Sequence, residues 1–272
     1  MFNEEGGIWV THSVPGFPYS STVFDAAGWV WPKTKFSQHF HCVTLTLAGV
    51  EAVSAGLTRN YVLPQEKSHH VPAELRALYP ITATLDVELG VPYNARNGTG
   101  VEQVFTKGGV EMTVLSKEGS KDHKIDLWED LVAPAIESDL LVETWCRGPN
   151  RGKDFTIDKC EGQLAQCGES GCICEAAGQN AVKEEAVYVC QKSTEGKYSV
   201  TQIEKMNYGE GNDVLSINSH SKWALAEDAA VVCFGDINRQ ATQRTRGGGA
   251  VCMQSETHWN IMRKMVAQTD VA

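Results

Sequence analysis

The sequence predicts a mixed α/β or α+β fold, built as one large domain or two small ones. Short β-branched or alternating runs indicate strands along most of the chain, and three segments with helical spacing of apolar residues lie among them. No internal repeat of short period is present, and 272 residues with 42% hydrophobic residues are enough for a sizeable core. No uncharged apolar run approaches the ~18 residues of a membrane span.

The first third of the chain is predicted to contain two strands and a short helix. Residues 8–14 alternate like a strand and run into a turn at 15–18, which holds two prolines. Residues 40–47 are a β-branched run and therefore a second strand. Residues 73–78 are predicted to form a helix that ends at Tyr79-Pro80.

The middle of the chain is predicted to contain a hairpin and a helix. Residues 101–114 indicate two strands around the turn Lys107-Gly108-Gly109. In residues 126–136, apolar side chains fall on one helical face, although Pro134 would kink or shorten the helix.

The rest of the chain is predicted to contain three strands, a cysteine-rich insertion and a C-terminal helix. Residues 146–191 are rich in Gly and Cys and are predicted to be a loop insertion held by disulfides. Residues 256–267 place Trp259 and Met262 among buried positions at helical spacing, with Ser255 as the N-cap. Three further strands are predicted at residues 140–145, 198–203 and 229–234.

The cysteines and the N-terminus indicate different cellular compartments. Nine cysteines and the glycosylation sequon at Asn97 are typical of a secreted or lysosomal protein, whereas residues 1–7 show no secretory signal. An odd cysteine count also leaves one thiol without an intrachain partner. Both irregularities would be explained if an N-terminal part were absent from this chain. The net charge of −10 argues against a general nucleic-acid coat but allows a local phosphate pocket.

The residues most informative about chemistry are His220-Ser221-Lys222. On a strand, positions 220 and 222 point to the same side, so the imidazole and the ammonium would face one pocket. A histidine that attacks phosphorus needs a nearby cation for the non-bridging oxygens, which Lys222 can supply. With eight His and fifteen Lys, about 0.4 such matches are expected by chance, so a surface pair is the alternative. Asn238, after the next strand, can donate an amide hydrogen bond to the same phosphate.

The longer motifs resemble the deoxyribonuclease II family, whose members share the His-x-Lys motif of phospholipase D-type enzymes. The resemblance covers nearly the whole chain and is weakest over residues 146–191. The segments that carry it are, in chain order, 8–18 (IWVTHSVPGFP), 40–43 (FHCV), 67–71 (KSHHV), 220–223 (HSKW), 235–239 (GDINR) and 244–252 (RTRGGGAVC).

The resemblance implies a phospholipase D-like pseudodimer of two sheet-and-helix halves. It also implies a lysosomal or secreted acid endonuclease that needs no metal or other cofactor and acts through a phosphohistidine. Such an enzyme leaves 3′-phosphate ends on its DNA substrate. Two histidines in opposite protonation states suit a mildly acidic optimum, near the ordinary imidazole pKa of about 6.5.

The family's functional positions can be carried over residue by residue. His220 and Lys222 match the catalytic pair, and Asn238 matches a phosphate-contacting position. His12 and Ser13 would line the site from the first half, although a buried strand histidine is an equal alternative for His12. Separately, Arg244 and Arg246 with the following glycines would form either a lip over DNA phosphates or a turn shaped by glycine.

The cysteines can be assigned in part by the same resemblance. Cys233 and Cys252 match a family disulfide, and Cys42 matches a cysteine whose partner would lie before Met1. The six cysteines between 146 and 190 can pair in fifteen ways, and a zinc site at 167–174 is a less favoured alternative.

No second His-x-Lys is present in the chain, and the family places it upstream of residues 8–18. We therefore expect residues 1–70 to be the remainder of a truncated first half, and residues 71–272 to be the second half with its insertion at 146–191. The isolated chain is expected to be weakly active unless a homodimer supplies the second motif. The alternative is an inert secreted paralogue that binds DNA or a host partner.

Overall fold

A sheet of nine described strands forms the centre of the fold. The structure is a computed structural model that describes residues 2–3, 5–14, 36–60, 71, 73–83, 98–120, 124–145, 155–157, 165–168, 171–174, 188–190, 196–240 and 243–269. The predicted turn at 15–18, the sequon at Asn97 and most of the cysteine-rich insertion lie outside these residues. The arrangement confirms the predicted mixed α+β class.

Most neighbouring strands of the large sheet are antiparallel, and only the pair Leu140–Glu143 and Val200–Asn207 is parallel within the described sheet. Val266–Thr269 also pairs with Val200–Asn207. The main path of the sheet runs in the order Asp213–Leu215, Val200–Asn207, Leu140–Glu143, Trp223–Ala226, Val231–Gly235, Gly248–Gln254, Glu111–Lys117 and Thr99–Phe105.

The central strands are buried on both faces, which explains why they are nearly continuous apolar runs in the sequence. Successive residues alternate between two core clusters: Val232 and Phe234 belong to one cluster, and Cys233 belongs to the other. Cys233 lies directly opposite Cys252 on the adjacent strand, and the two form the predicted disulfide. Cys42 is free, as expected, and it is exposed.

A small second sheet is formed by Phe2–Asn3, Gly6–His12 and Phe40–Leu45. Both strands predicted for this part of the chain are confirmed, but each ends two residues earlier than expected. The second strand stops at Leu45 because a helix begins at Leu47. A bridge between Leu45 and Thr106 connects the small sheet to the large one.

The helix Leu47–Asn60 was not predicted, and it covers one face of the strands Thr99–Phe105 and Glu111–Lys117. Its apolar stripe is interrupted by small residues that allow a close approach to the sheet. A Cβ atom on Gly56 would lie 3.3 Å from Val114 Cγ1, and one on Gly100 would overlap the Arg59 guanidinium. Close packing therefore replaces the large apolar side chains by which a helix is usually recognised.

The predicted helix Ala73–Leu78 is confirmed and is followed by the short helix Pro80–Ala83. The helix predicted at 126–136 is a π-helical segment, Leu127–Val132, that continues as the α-helical turn Ala133–Ile136. Pro134 lies in the first turn of the α-helical part, at the point where the π-helical segment changes to an α-helical turn.

The hairpin of the middle segment and the other predicted strands are also present, with ends moved by up to four residues. The large sheet also contains strands that the sequence analysis did not predict: Trp223–Ala226, Asp213–Leu215, Gly248–Gln254 and Val266–Thr269. Within the predicted insertion, Phe155–Ile157 pairs with Tyr188–Cys190, and Ala165–Gly168 pairs with Gly171–Cys174. None of the described helices is long and apolar enough to cross a membrane.

The terminal helix Glu256–Met265 begins at the predicted N-cap, Ser255, whose hydroxyl accepts the His258 N–H. The burial expected for Trp259 and Met262 is wrong in degree, because both are only partly buried and the helix lies at the outside of the core. The helix ends at Met265, two residues before the predicted end, because Val266 begins a strand.

Replacing Ser255 by alanine should lower the free energy of unfolding by about 1 kcal/mol, because a helix N–H loses its acceptor. Urea denaturation followed by tryptophan fluorescence measures this change. Thr257→Ala, at an exposed position in the first turn of the same helix, is the matched control and should have little effect. An equal loss of stability in both variants would contradict the capping role.

Candidate functional site

The predicted site residues lie at one end of the large sheet. His220-Ser221-Lys222 immediately precede the strand Trp223–Ala226, so the expectation that 220 and 222 lie within a strand is wrong. The segment is nevertheless extended, and its buried Ser219 and Ser221 alternate with the half-buried His220 and Lys222. The backbone thus directs the imidazole and the ammonium away from the two serines, toward the same side.

A neighbouring segment, Ser37–His39, takes the place of a strand partner for these residues. The Ser37 N–H donates to the Asn218 carbonyl at 3.0 Å, and the His220 N–H donates to the Ser37 carbonyl at 2.9 Å. The Ser37 hydroxyl also donates to Ser219 Oγ at 2.7 Å. These bonds fix the backbone that carries the His-x-Lys motif.

The His220 ring is held between two aromatic side chains. It stacks on Phe36 with ring centroids 4.2 Å apart, and the Trp145 ring is tilted against it at 4.9 Å. Its Nε2 atom is buried and has no hydrogen-bond partner among the described residues. Burial, followed by the nearby Lys222 charge, lowers the pKa of His220.

Lys222 is bound at both its side chain and its backbone. Its ammonium donates to the His220 carbonyl at 2.7 Å, and its N–H donates to His39 Nδ1 at 3.1 Å. Burial lowers the Lys222 pKa to about 8, although Asp236 and Glu143 favour the charged form. Burial also lowers the pKa of His39 to about 3, with further contributions from Lys222 and the neighbouring histidines.

Asn238 is buried and bonds to the backbone of Trp145, the residue whose ring contacts the imidazole. Its Oδ1 atom accepts the Trp145 backbone N–H at 3.1 Å, and its own N–H donates to Gln243 Oε1 at 2.8 Å. The structure therefore connects Asn238 to His220 through Trp145.

Ser13 and His12 approach the motif from the small sheet. Ser13 Oγ donates to Gln38 Oε1 at 2.6 Å, and Gln38 Nε2 lies 3.5 Å from His220 Nδ1. His12 faces Phe40, and its charge acts on His39; burial lowers the pKa of His12. The structure brings Ser13 within two hydrogen bonds of His220, and it relates His12 to the motif through the effect of its charge on His39.

Two carboxylic acids beside Lys222 hold their protons unusually tightly. Glu143 is completely buried, and burial raises its pKa to about 8 against the opposing effects of the Ser219 and Ser216 hydroxyls and Lys222. Desolvation of the carboxylate by the surrounding protein raises the pKa of Asp236 to about 6, against the opposing effect of Lys222. Asp236 also accepts the Gly249 N–H at 2.8 Å.

The segment 244–249 is shaped by packing. Arg244 Nε lies 3.7 Å from Asp126 Oδ2, and the buried Lys117 donates to the Arg244 and Arg246 carbonyls. A Cβ atom on Gly249 would lie 2.2 Å from the Leu115 carbonyl oxygen, so glycine is needed there for close contact. Among the described residues, no group of three or more His, Cys, Asp or Glu side chains could hold a metal ion.

Sequence reasoning missed Gln38, His39, Trp145 and Glu143. Gln38 is 182 positions from His220, and nothing in its local pattern indicates the contact. Glu143 did carry a signal, because it is an acidic residue inside the otherwise apolar run that forms the strand Leu140–Glu143.

Comparison with known proteins gives matches over the whole chain. The sequence model of the family Deoxyribonuclease II matches residues 1–166 and 151–271. Cell-death-related nuclease 7 of Caenorhabditis elegans is 24% identical over 99% of this chain and 62% of its own length. Deoxyribonuclease-2-alpha of Mus musculus is 22% identical over 98% and 63%, and the putative deoxyribonuclease-2 of Burkholderia thailandensis is 25% identical over 97% and 61%. The chain thus spans about three fifths of the length of these relatives.

Proposed function

The chain belongs to the deoxyribonuclease II family, and from this we propose that it hydrolyses the phosphodiester bonds of DNA in mildly acidic surroundings without a metal. The observation that carries the proposal is the His220 imidazole. Its Nε2 atom has no hydrogen-bond partner among the described residues, and the Lys222 ammonium lies beside the ring's own backbone carbonyl. Because residues 220 and 222 face the same side of the extended segment, a phosphate bound beside it could contact both the imidazole and the ammonium.

The proposed reaction divides hydrolysis into two displacements. A histidine nitrogen forms a bond to phosphorus as the bond from phosphorus to the 5′-oxygen breaks, and a second acid gives that oxygen its proton. Water then adds to phosphorus and breaks the P–N bond, which leaves a 3′-phosphate and restores the imidazole. We assign His220 to one of the two histidine roles, Lys222 to the non-bridging oxygens, and Asn238, His12 and Ser13 to substrate binding.

An acidic optimum follows from the environment of His220. Burial lowers the pKa of His220, so its change of charge moves to a more acidic pH than that of a free imidazole, which suits proton transfer in acid. The nine cysteines and the Cys233–Cys252 disulfide support action in a lysosomal or secreted setting.

A second candidate is a catalytically inert protein that binds DNA or a host partner. It is favoured by the single His-x-Lys motif in these 272 residues and by the net charge of −10. A homodimer would provide a second copy of the motif, and the division at residue 70 into two phospholipase D-like halves stays a prediction.

A plasmid-cleavage assay at pH 5 in EDTA tests the proposal. It should be made on residues 1–272 and on the product of the native coding sequence, read from the mapped 5′ end of its transcript. We expect cleavage that is at least about tenfold faster at pH 5 than at pH 7.5, with 3′-phosphate ends. Binding of the plasmid by both proteins without cleavage would instead support the inert candidate, and 3′-hydroxyl ends would contradict the mechanism.

A further inference from the structure

We propose that Ser13 and Gln38 form a reversible hydrogen-bond relay that holds the His220 ring in place in both of its protonation states. Gln38 is then a positioning residue, which acts on substrate only through His220. The consequence for catalysis rests on the proposed nuclease function, but the relay is a property of the protein alone.

The relay begins at the backbone of the small sheet. The His39 N–H donates to Ser13 Oγ at 3.0 Å, and the Ser13 N–H donates to the His39 carbonyl at 3.1 Å. Ser13 Oγ in turn donates its own hydrogen to Gln38 Oε1 at 2.6 Å. In this arrangement the Oε1 end of the Gln38 amide faces the serine.

With Oε1 on the serine side, the amide Nε2 faces His220 Nδ1 in a long contact of 3.5 Å. An N–H donor at this position requires Nδ1 to be an acceptor. This amide orientation favours the neutral tautomer with its proton on Nε2, and the reversed amide would favour the tautomer with its proton on Nδ1.

Protonation of His220 reverses what Nδ1 needs, because an imidazolium donates from both nitrogens. Rotating the Gln38 amide by half a turn would present Oε1 to Nδ1–H and Nε2 to Ser13 Oγ. A hydroxyl can accept as well as donate, so Ser13 can serve either orientation. Neither a carboxylate nor an apolar side chain at position 38 could do both.

Gln38 is the residue that faces Nδ1, and the other neighbours act on different parts of the His220 ring. Phe36 and Trp145 contact its aromatic surface, and Lys222 is the charge that acts on it. Lys222 disfavours the imidazolium. A partner that can accept a hydrogen bond from Nδ1 would offset this effect, and one that can also donate would hold the neutral ring in the same place.

The test is an NMR titration of the His220 nitrogens in ¹⁵N-histidine-labelled protein, with Gln38→Glu and Gln38→Met as variants. A carboxylate facing Nδ1 favours the imidazolium, so Gln38→Glu should raise the His220 titration midpoint by about one pH unit or more. Gln38→Met offers no hydrogen bond, so the neutral ring should become a mixture of tautomers. If DNA is cleaved, the rate of this variant should fall about tenfold to a hundredfold, with KM changed by less than about twofold.

Gln103→Glu makes the same chemical change at an exposed strand position and should leave the His220 spectrum unaltered. An unchanged midpoint and tautomer in both Gln38 variants would overturn the relay, as would an equal shift in Gln103→Glu. If the Gln38 variants alter the His220 spectra as expected, but neither residues 1–272 nor the product of the native coding sequence cleaves DNA, the relay is supported and the proposed function is rejected.

Discussion

In the product of the native coding sequence, replacing His220 by alanine should slow DNA cleavage at pH 5 by about a thousandfold or more while leaving DNA affinity within a few-fold of wild type. The variant loses the nitrogen that attacks phosphorus or moves the proton, and such groups commonly contribute two to four orders of magnitude. Lys222 and Asn238, which we assign to the phosphate, remain. Initial rates on supercoiled plasmid and fluorescence anisotropy with a labelled duplex measure the two quantities separately.

The backbone around position 220 should survive the change. The N–H of this residue bonds to the Ser37 carbonyl whatever side chain it carries, and the neighbouring serines are unaltered. His258→Ala, at an exposed position on the terminal helix, is the matched control and should cleave at nearly the wild-type rate. If His220→Ala retains more than about a tenth of the wild-type rate, His220 has no chemical role in the reaction.

The sequence predicted the fold best where both faces of a strand are buried. The runs at 140–145 and 229–234 are apolar at nearly every position because each side chain enters one of the two core clusters. The helix Leu47–Asn60 was missed for the opposite reason, since close contact with the sheet required small residues where a recognisable stripe would have large ones.

The candidate site likewise contains some residues that the sequence could predict and others that it could not. His220, Lys222 and Asn238 lie within 20 positions of one another, so a local motif could indicate them. Gln38 and His39 reach the motif only because the small sheet is packed against the end of the large one, and single-sequence patterns contain no information about that contact. The contribution of Gln38 and His39 to the site depends on hydrogen bonds between segments that are far apart in the sequence.

Glu143 connects the site to the stability of the whole protein. Its side chain is completely buried opposite Trp223, near the Ser216 and Ser219 hydroxyls. Burial raises its pKa from 4.5 to about 8, so the folded protein keeps a proton that the unfolded chain loses. Below about pH 4.5 Glu143 is protonated in both the folded and the unfolded protein, so it does not change the free energy of unfolding. Between about pH 4.5 and about pH 8, the free energy of unfolding falls as the pH rises.

We therefore expect Glu143→Gln to stabilise the protein by about 3 kcal/mol at pH 7 and by less than about 1 kcal/mol at pH 5. Glutamine has nearly the shape and hydrogen-bonding groups of the protonated acid, but it cannot ionise. Urea denaturation of both proteins at several pH values between 4.5 and 8 measures the difference.

Glu111→Gln, at an exposed position on another strand of the same sheet, is the matched control and should shift stability equally at every pH. A gain for Glu143→Gln that is the same at pH 5 and pH 7 would show that residue 143 ionises normally in the folded protein. A gain confined to the higher pH would show that the proton on Glu143 makes the folded state more stable in acid, where the nuclease is proposed to act.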